Sequence, residues 1–150
     1  MNKLNKKFEI YLSGKMGGLT HGQYTEWRNK IALLLAEIGE NVEIFDPAKK
    51  YNYEIMAHQT EKEVMRYELR KIEQCDLVIL NLKNADTSVG TMFETAYAFK
   101  NNIPILGFIT EKDIIQNPET VIHPWLLEAC DRIEFDIPHL IDYVKKYYIN

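Results

Sequence analysis

The sequence predicts an α/β fold built on an open, doubly wound parallel sheet, and three observations predict it. Short β-rich apolar runs alternate along the chain with segments whose apolar residues recur at helical spacing. The most apolar of these runs, Asp76-Leu-Val-Ile-Leu-Asn-Leu82, reads as a buried strand. Glycine-rich or small polar loops follow the first and third runs, where a parallel sheet places its ligand crevice. Right-handed crossovers then favour five strands in the order 2-1-3-4-5 with helices on both faces, a Rossmann-like or flavodoxin-like sheet.

Each element has its own local signal. Phe8–Leu12 alternates and is β-rich, and Ser13-Gly-Lys-Met-Gly-Gly18 punctuates its end. Tyr24, Trp27, Ile31, Leu34, Leu35 and Ile38 mark a helix, with Gly39 at the place of a C′ glycine. Val42–Phe45 is the second strand, stopped by Asp46-Pro47; Lys49–Gln59 has no clear period and reads as a long loop or irregular helix. Thr60-Glu-Lys-Glu63 is a capping box opening a helix with Val64, Met65, Leu69 and Ile72 as its apolar positions.

The third strand, Leu77–Leu82, leads through Asp86-Thr-Ser-Val-Gly90 into a helix patterned by Met92, Phe93, Ala96, Tyr97 and Phe99 and ended by Asn101-Asn102. Ile103–Phe108 is the fourth strand, with Pro104 tolerated at its start. Thr110–Ala129 reads as a long connection with a short helix around Pro124–Cys130, followed by a last short strand at Ile133–Phe135. Leu140, Tyr143, Val144 and Tyr147 line one face of a C-terminal helix. There is no internal repeat, low-complexity tract or linker, so residues 1–150 are expected to form a single domain.

Composition excludes several functions. Of 150 residues, 46% are hydrophobic and 27% charged, which is ordinary for a globular chain. A net charge of -4 argues against a nucleic-acid polymer as partner. The apolar runs are strand-sized, so no membrane partner is expected, and the basic start Met1–Lys7 lacks the apolar stretch of a leader. Cys75 and Cys130 form no CxxC pair, which makes a reduced, cytoplasmic setting the default. His21, His58, His123 and His139 have no ligand spacing such as HExxH; no metal is predicted, and most of them are expected at the surface.

The candidate chemistry is carried by carboxylates. Glu94 is expected in the first turn of its helix, opening onto the crevice. Thr91-x-x-Glu94 fits a capping box, which would make it structural. An ionised carboxylate against a sugar C1, which the helix N-terminus would favour, is what double displacement at a glycosidic carbon requires. Glu68 shares a helix stripe with Val64 and Ile72; it either reaches water at the edge of that stripe or partners Glu94 or a leaving base. Asp76, at the far end of its strand, is structural. Asp86 and Ser88 read as turn and helix cap or as ligand contacts. The loop of Ser13, Gly14, Lys15, Gly17 and Gly18 resembles a phosphate-cradling nest but matches neither GxGxxG nor GxxxxGK[ST], a weak signal by itself. Tyr11 reaches the crevice or packs.

These residues together resemble the nucleoside 2-deoxyribosyltransferase family, including its 2′-deoxynucleoside 5′-phosphate N-hydrolase branch. The matching motifs are Ile10-Tyr-Leu-Ser-Gly14, Glu68 with Cys75-Asp-Leu-Val-Ile79, and Asp86-Thr-Ser-Val-Gly-Thr-Met-Phe-Glu-Thr-Ala-Tyr-Ala98, of which the Ser88–Ala98 run is the most specific. The resemblance implies a nucleoside or nucleotide substrate, no cofactor, and a homodimer or higher homo-oligomer whose neighbouring subunit completes each site.

By the same resemblance Glu94 is the nucleophile that forms a 2-deoxyribosyl ester, Tyr11 orients it, and Glu68 stands where the family usually has an aspartate near the base. Ser88 and Gly90 lie in the sugar- and phosphate-side loop. A serine at 88 matches the monophosphate hydrolases, where free-nucleoside transferases carry an aspartate. Gly17 replaces an arginine of the animal hydrolases, and His123 aligns with a residue that reaches the neighbouring subunit's site. A non-catalytic nucleotide-binding or sensing module on the same fold is the rival expectation.

Overall fold

The computed structural model describes residues 6–50, 60–119 and 121–149. Five strands, β1 (Phe8–Ser13), β2 (Val42–Phe45), β3 (Leu77–Asn81), β4 (Ile105–Phe108) and β5 (Arg132–Glu134), form one parallel sheet in the order β2-β1-β3-β4-β5. The predicted order is therefore correct, and the crevice between β1 and β3 lies where the chain direction of the winding reverses.

Side-chain alternation along these strands divides the core in two. Ile10, Leu12, Leu77, Ile79, Leu106 and Phe108 pack on one face against Ile31 and Leu35 of α1 (His21–Ala36) and Leu140 and Val144 of α7 (Ile137–Tyr147). Tyr11, Val78, Leu80 and Ile105 pack on the other against Ile72 of α3 (Glu61–Gln74), Ala98 of α4 (Val89–Lys100) and Leu126 of α6 (Pro124–Ala129). The Thr60/Glu63 capping box at the start of α3 forms as predicted, because each side chain satisfies an orphan N–H of the first turn.

Four expectations need correction. A helix, α5 (Glu111–Gln116), occupies part of the predicted long connection; its signal was Thr110-x-x-Asp113, where Thr110 Oγ1 accepts the Asp113 N–H at 3.1 Å. Gly39 is not a left-handed cap: Gly18 is the described glycine with positive φ, and α1 ends at a right-handed Glu37. Tyr147 lies outside the face of Leu140 and Val144 and is exposed. The expected pattern on α4 also faces the wrong way. Its buried residues are Thr91, Glu94, Thr95 and Ala98, while Met92, Phe93 and Phe99 are exposed.

Of the span Lys49–Gln59, Lys49 and Lys50 belong to a short α2 (Pro47–Lys50); the remainder, with His58, lies outside the described residues, as does most of Met1–Lys7. His21, His123 and His139 are exposed. No helix among the described residues is long and apolar enough to cross a membrane.

Candidate active site

Two loops meet at the carboxyl edge of β1 and β3. Lys15, leaving β1, donates from Nζ to Thr87 Oγ1 at 2.8 Å, in the 3₁₀ turn Ala85–Thr87 that follows β3. Ser88 comes next and caps α4: its Oγ accepts the Thr91 N–H at 3.3 Å and pairs with Thr91 Oγ1 at 2.8 Å.

That cap decides the position of Glu94. With Ser88 as N-cap, Thr91 is the third helical residue and Glu94 lies in the second turn. The predicted first-turn placement and the Thr91/Glu94 capping box are both overturned, and the capping role falls to Ser88. Glu94 instead shares the inward stripe with Thr91, Thr95 and Ala98, and only 8% of it is exposed.

The surroundings of Glu94 come from three elements. Tyr11 and Ser13 alternate with Leu12 along β1 and so turn toward α4; both are fully buried, and Tyr11 stacks on Phe45 of the adjoining strand with ring centroids 5.2 Å apart. Glu68 is half-buried on α3. Arg28 comes from α1.

Burial pushes the Glu94 pKa up to about 8, and the charge of Glu68 adds to the rise; the nearby Tyr11 and Ser13 hydroxyls and the charge of Arg28 oppose it. The expectation that the helix N-terminus keeps this carboxylate ionised is thereby reversed. The helix dipole weakens beyond the first turn, and desolvation of a nearly enclosed carboxylate outweighs it. Glu94 Oε2 and Ser13 Oγ are shielded from water, and neither reaches a hydrogen bond of full geometry among the described residues. Buried atoms of this kind mark a place where a ligand or proton can be accepted.

Arg28 and Asp46 are the residues that sequence reasoning missed. Arg28 is 1% exposed; its Nη1 donates to Leu12 O at 3.0 Å and Asp46 Oδ1 at 3.1 Å, and its Nη2 to Gly14 O at 2.8 Å. The signal was available, since Arg28, Ile31 and Leu35 share one helix face. Gly14 is required here: a Cβ on it would meet Trp27 Cζ2 at 2.6 Å.

The remaining candidates are less enclosed. Asp86 is exposed in the 3₁₀ turn, and Gly17, Gly18 and Gly90 are exposed with open space where a Cβ would stand. Lys15 lines a cavity of about 280 Å³ with Asn81, Lys83 and Lys112 on the α1 side of the same edge. His123 caps α6, accepting the Trp125 N–H on Nδ1 at 3.1 Å. It lines an apolar hollow with Met92, Phe99 and Trp125 that includes none of Tyr11, Glu68 and Glu94. Asp76 holds the opposite end of the sheet, accepting the Glu9 N–H at 2.9 Å, as its structural reading requires.

The model of the family described as nucleoside 2-deoxyribosyltransferase matches residues 10–130. Among curated proteins, none matches the chain by sequence. Solved structures share its fold. A conserved protein from Enterococcus faecalis V583 superposes with a TM-score of 0.77 at 11% identity, covering 93% of this chain and 98% of that one. A 2-deoxyribosyltransferase from Bacillus psychrosaccharolyticus gives 0.70 at 17% identity, covering 90% and 91%. The CMP N-glycosidase of Clostridium botulinum gives 0.56 at 16% identity, covering 93% and 98%.

Proposed function

The chain belongs to the nucleoside 2-deoxyribosyltransferase family, and from that premise we propose that it cleaves the N-glycosidic bond of 2′-deoxynucleosides or their 5′-monophosphates, with Glu94 as nucleophile. The observation that carries this reading is the buried Glu94 carboxyl at the carboxyl edge of the sheet, faced by Tyr11, Ser13 and Glu68.

Before substrate binds, near neutral pH, Glu94 holds a proton, kept there by burial and by Glu68. Passing that proton toward the base nitrogen, by way of Glu68, turns Glu94 into the carboxylate that attacks C1′. The C1′–N bond breaks, the base leaves protonated, and a 2-deoxyribosyl ester of Glu94 forms. Another base, or water, then attacks C1′ and releases the sugar; with water as acceptor the Glu94 carboxyl recovers its proton. Proton assistance of this type contributes about 10²–10⁴-fold. Tyr11 orients the nucleophile, and its hydroxyl favours the carboxylate form.

Ser88 and Lys15 support a 5′-phosphate on the substrate. A serine hydroxyl and an ammonium both donate to phosphate, whereas an aspartate at position 88 would repel it. Ser13, Gly14, Gly17, Gly18, Asp86 and Gly90 would line the sugar and phosphate side. The reading includes one domain over residues 1–150 working in the cytoplasm. It also includes a homo-oligomer assembled through the outward apolar face of α4, with His123 near that contact. Exposed Phe93, Phe99 and Trp125 support assembly.

One observation favours a non-catalytic nucleotide-binding module: a Glu94 that keeps its proton is a hydrogen-bond donor suited to hold a ligand without attacking it. Incubation with deoxynucleosides and their monophosphates, with and without an acceptor base, separates the two by chromatography of free base. Release by the wild type and none by Glu94→Gln, with a sugar adduct on Glu94 by peptide mass, is the expected result. No release from any substrate, with Glu94→Ala binding ligand as tightly as wild type, selects the binding module.

A further inference from the structure

We propose that Arg28, steadied by Asp46, is the positioning residue of this site: it pins the backbone on either side of Ser13 and presents its charge toward Glu94. The inference rests on the reading of Glu94 as nucleophile.

A guanidinium taken out of water is costly unless it is paired and hydrogen-bonded, and an ion pair so buried is by itself a weak source of stability. Its consequence lies in what it holds. Arg28 bonds Leu12 O and Gly14 O, the carbonyls flanking Ser13, and both distances lie within 3.0 Å. Arg28 thereby fixes the backbone on both sides of Ser13, and strand alternation places Tyr11 and Ser13 on the sheet face opposite Leu12, where Glu94 stands. Asp46 is itself fixed: its Oδ1 accepts the Ala48 N–H at 2.9 Å as well as the Arg28 Nη1. The exits of β1 and β2 are thus tied through one planar fork. Trp27 closes the arrangement from its side, its ring 4.5 Å from the guanidinium carbon and against Gly14.

The same cation acts on the carboxyl through space. The groups facing Glu94 are Glu68 from α3, which disfavours its charge, and Tyr11 and Ser13 from β1 with Arg28 from α1, which favour it. Asp46 partly neutralises Arg28, but an arginine remains protonated throughout the working range. Arg28 therefore opposes Glu68 in deciding when Glu94 releases its proton.

The experiment compares wild type, Arg28→Met and Arg28→Lys by three readouts: thermal melting, the pH profile of base release, and the carboxyl carbon-13 titration of Glu94, assigned with Glu94→Gln. In Arg28→Met, kcat is expected to fall on the order of tenfold to hundredfold, because small misplacement at a reacting centre has that effect. The basic limb of its profile, where Glu94 loses the proton that it passes to the base, and the Glu94 titration both move to higher pH. Arg28→Lys restores the titration, because the charge returns, but not kcat, because a lysine lacks the fork that grips both carbonyls. A folded Arg28→Met with unchanged rate, limb and titration overturns the proposal. Should Arg28→Met not fold, an Arg28→Lys with wild-type kcat overturns it instead. If the wild type releases no base, the enzymatic reading fails, yet the carbon-13 titration still decides whether Arg28 governs Glu94.

Discussion

Glu68 on α3 and Glu94 on α4 oppose one another electrostatically: the charge of Glu68, added to burial, keeps a proton on Glu94 up to a pH of about 8. The folded protein therefore binds a proton that the unfolded chain gives up near the ordinary value of 4.5. This contribution to stability is full below the unfolded value and is lost as pH rises through about 8. Its size is on the order of a few kcal/mol. Glu94→Gln mimics the protonated form and escapes the loss. Its melting temperature should exceed that of wild type at pH 8.5, with the gap closing toward pH 5; an equal gap at both would refute the assignment.

Replacing the other partner should separate charge from chemistry. Glu68→Gln removes the repulsion, so Glu94 loses its proton more easily and the basic limb of kcat/KM should move to lower pH. The same variant loses the route for the proton to the base, and kcat should drop by about 10²–10⁴-fold. A limb that stays in place while kcat falls would show that Glu68 does not govern Glu94 through charge.

Ser88 combines a structural and a recognition role, and two substitutions divide them. Ser88→Ala removes the cap of α4 and should cost about 1 kcal/mol, read by chemical denaturation. Ser88→Asp keeps a capping oxygen, so stability should hold, but its charge repels a phosphate. KM for monophosphates should rise about tenfold or more, with less change for free nucleosides. Equal effects on both substrates would remove the phosphate from this loop.

Gly14→Ala should destabilise the fold by about 1–3 kcal/mol, because its Cβ would stand 2.6 Å from Trp27 Cζ2. Gly17→Ala, with nothing within 4 Å of the added carbon, should leave the melting temperature nearly unchanged. The contrast tests whether close approach at Gly14, rather than loop flexibility, holds the exit of β1.

The outward face of α4 leaves Phe93 56% exposed and Phe99 62%, with Trp125 of α6 at 82%. Light scattering on a sizing column should give a mass above one subunit for wild type. Phe93→Glu and Trp125→Glu should shift it toward the monomer. A monomeric wild type would exclude assembly through this face.

The sheet order, the strands and the paired loops were legible in the sequence because each rests on a local pattern: β-rich runs, helical spacing, a Thr60/Glu63 box. The position of Glu94 at the carboxyl edge followed from topology alone. What the pattern could not convey was which way α4 turns. Its apolar residues suggested an inward face, but the polar Thr91–Glu94–Thr95 stripe is the one that meets the sheet. Periodicity identifies a face without saying what covers it, and only tertiary packing makes that choice. The helix start was likewise a choice between Ser88 and Thr91 as cap, settled by which hydroxyl reaches an orphan N–H.

Arg28 lay hidden for the same reason, since a charged residue on an apolar face ordinarily reaches water. Leu12 O and Gly14 O at the end of β1 and Asp46 after β2 come from two parts of the chain and meet Arg28 only in the folded state. The sequence by itself determined the architecture and the residue types at the crevice. The tertiary structure decided their protonation and orientation, because desolvation and charge proximity depend on distances through space that no spacing along the chain encodes.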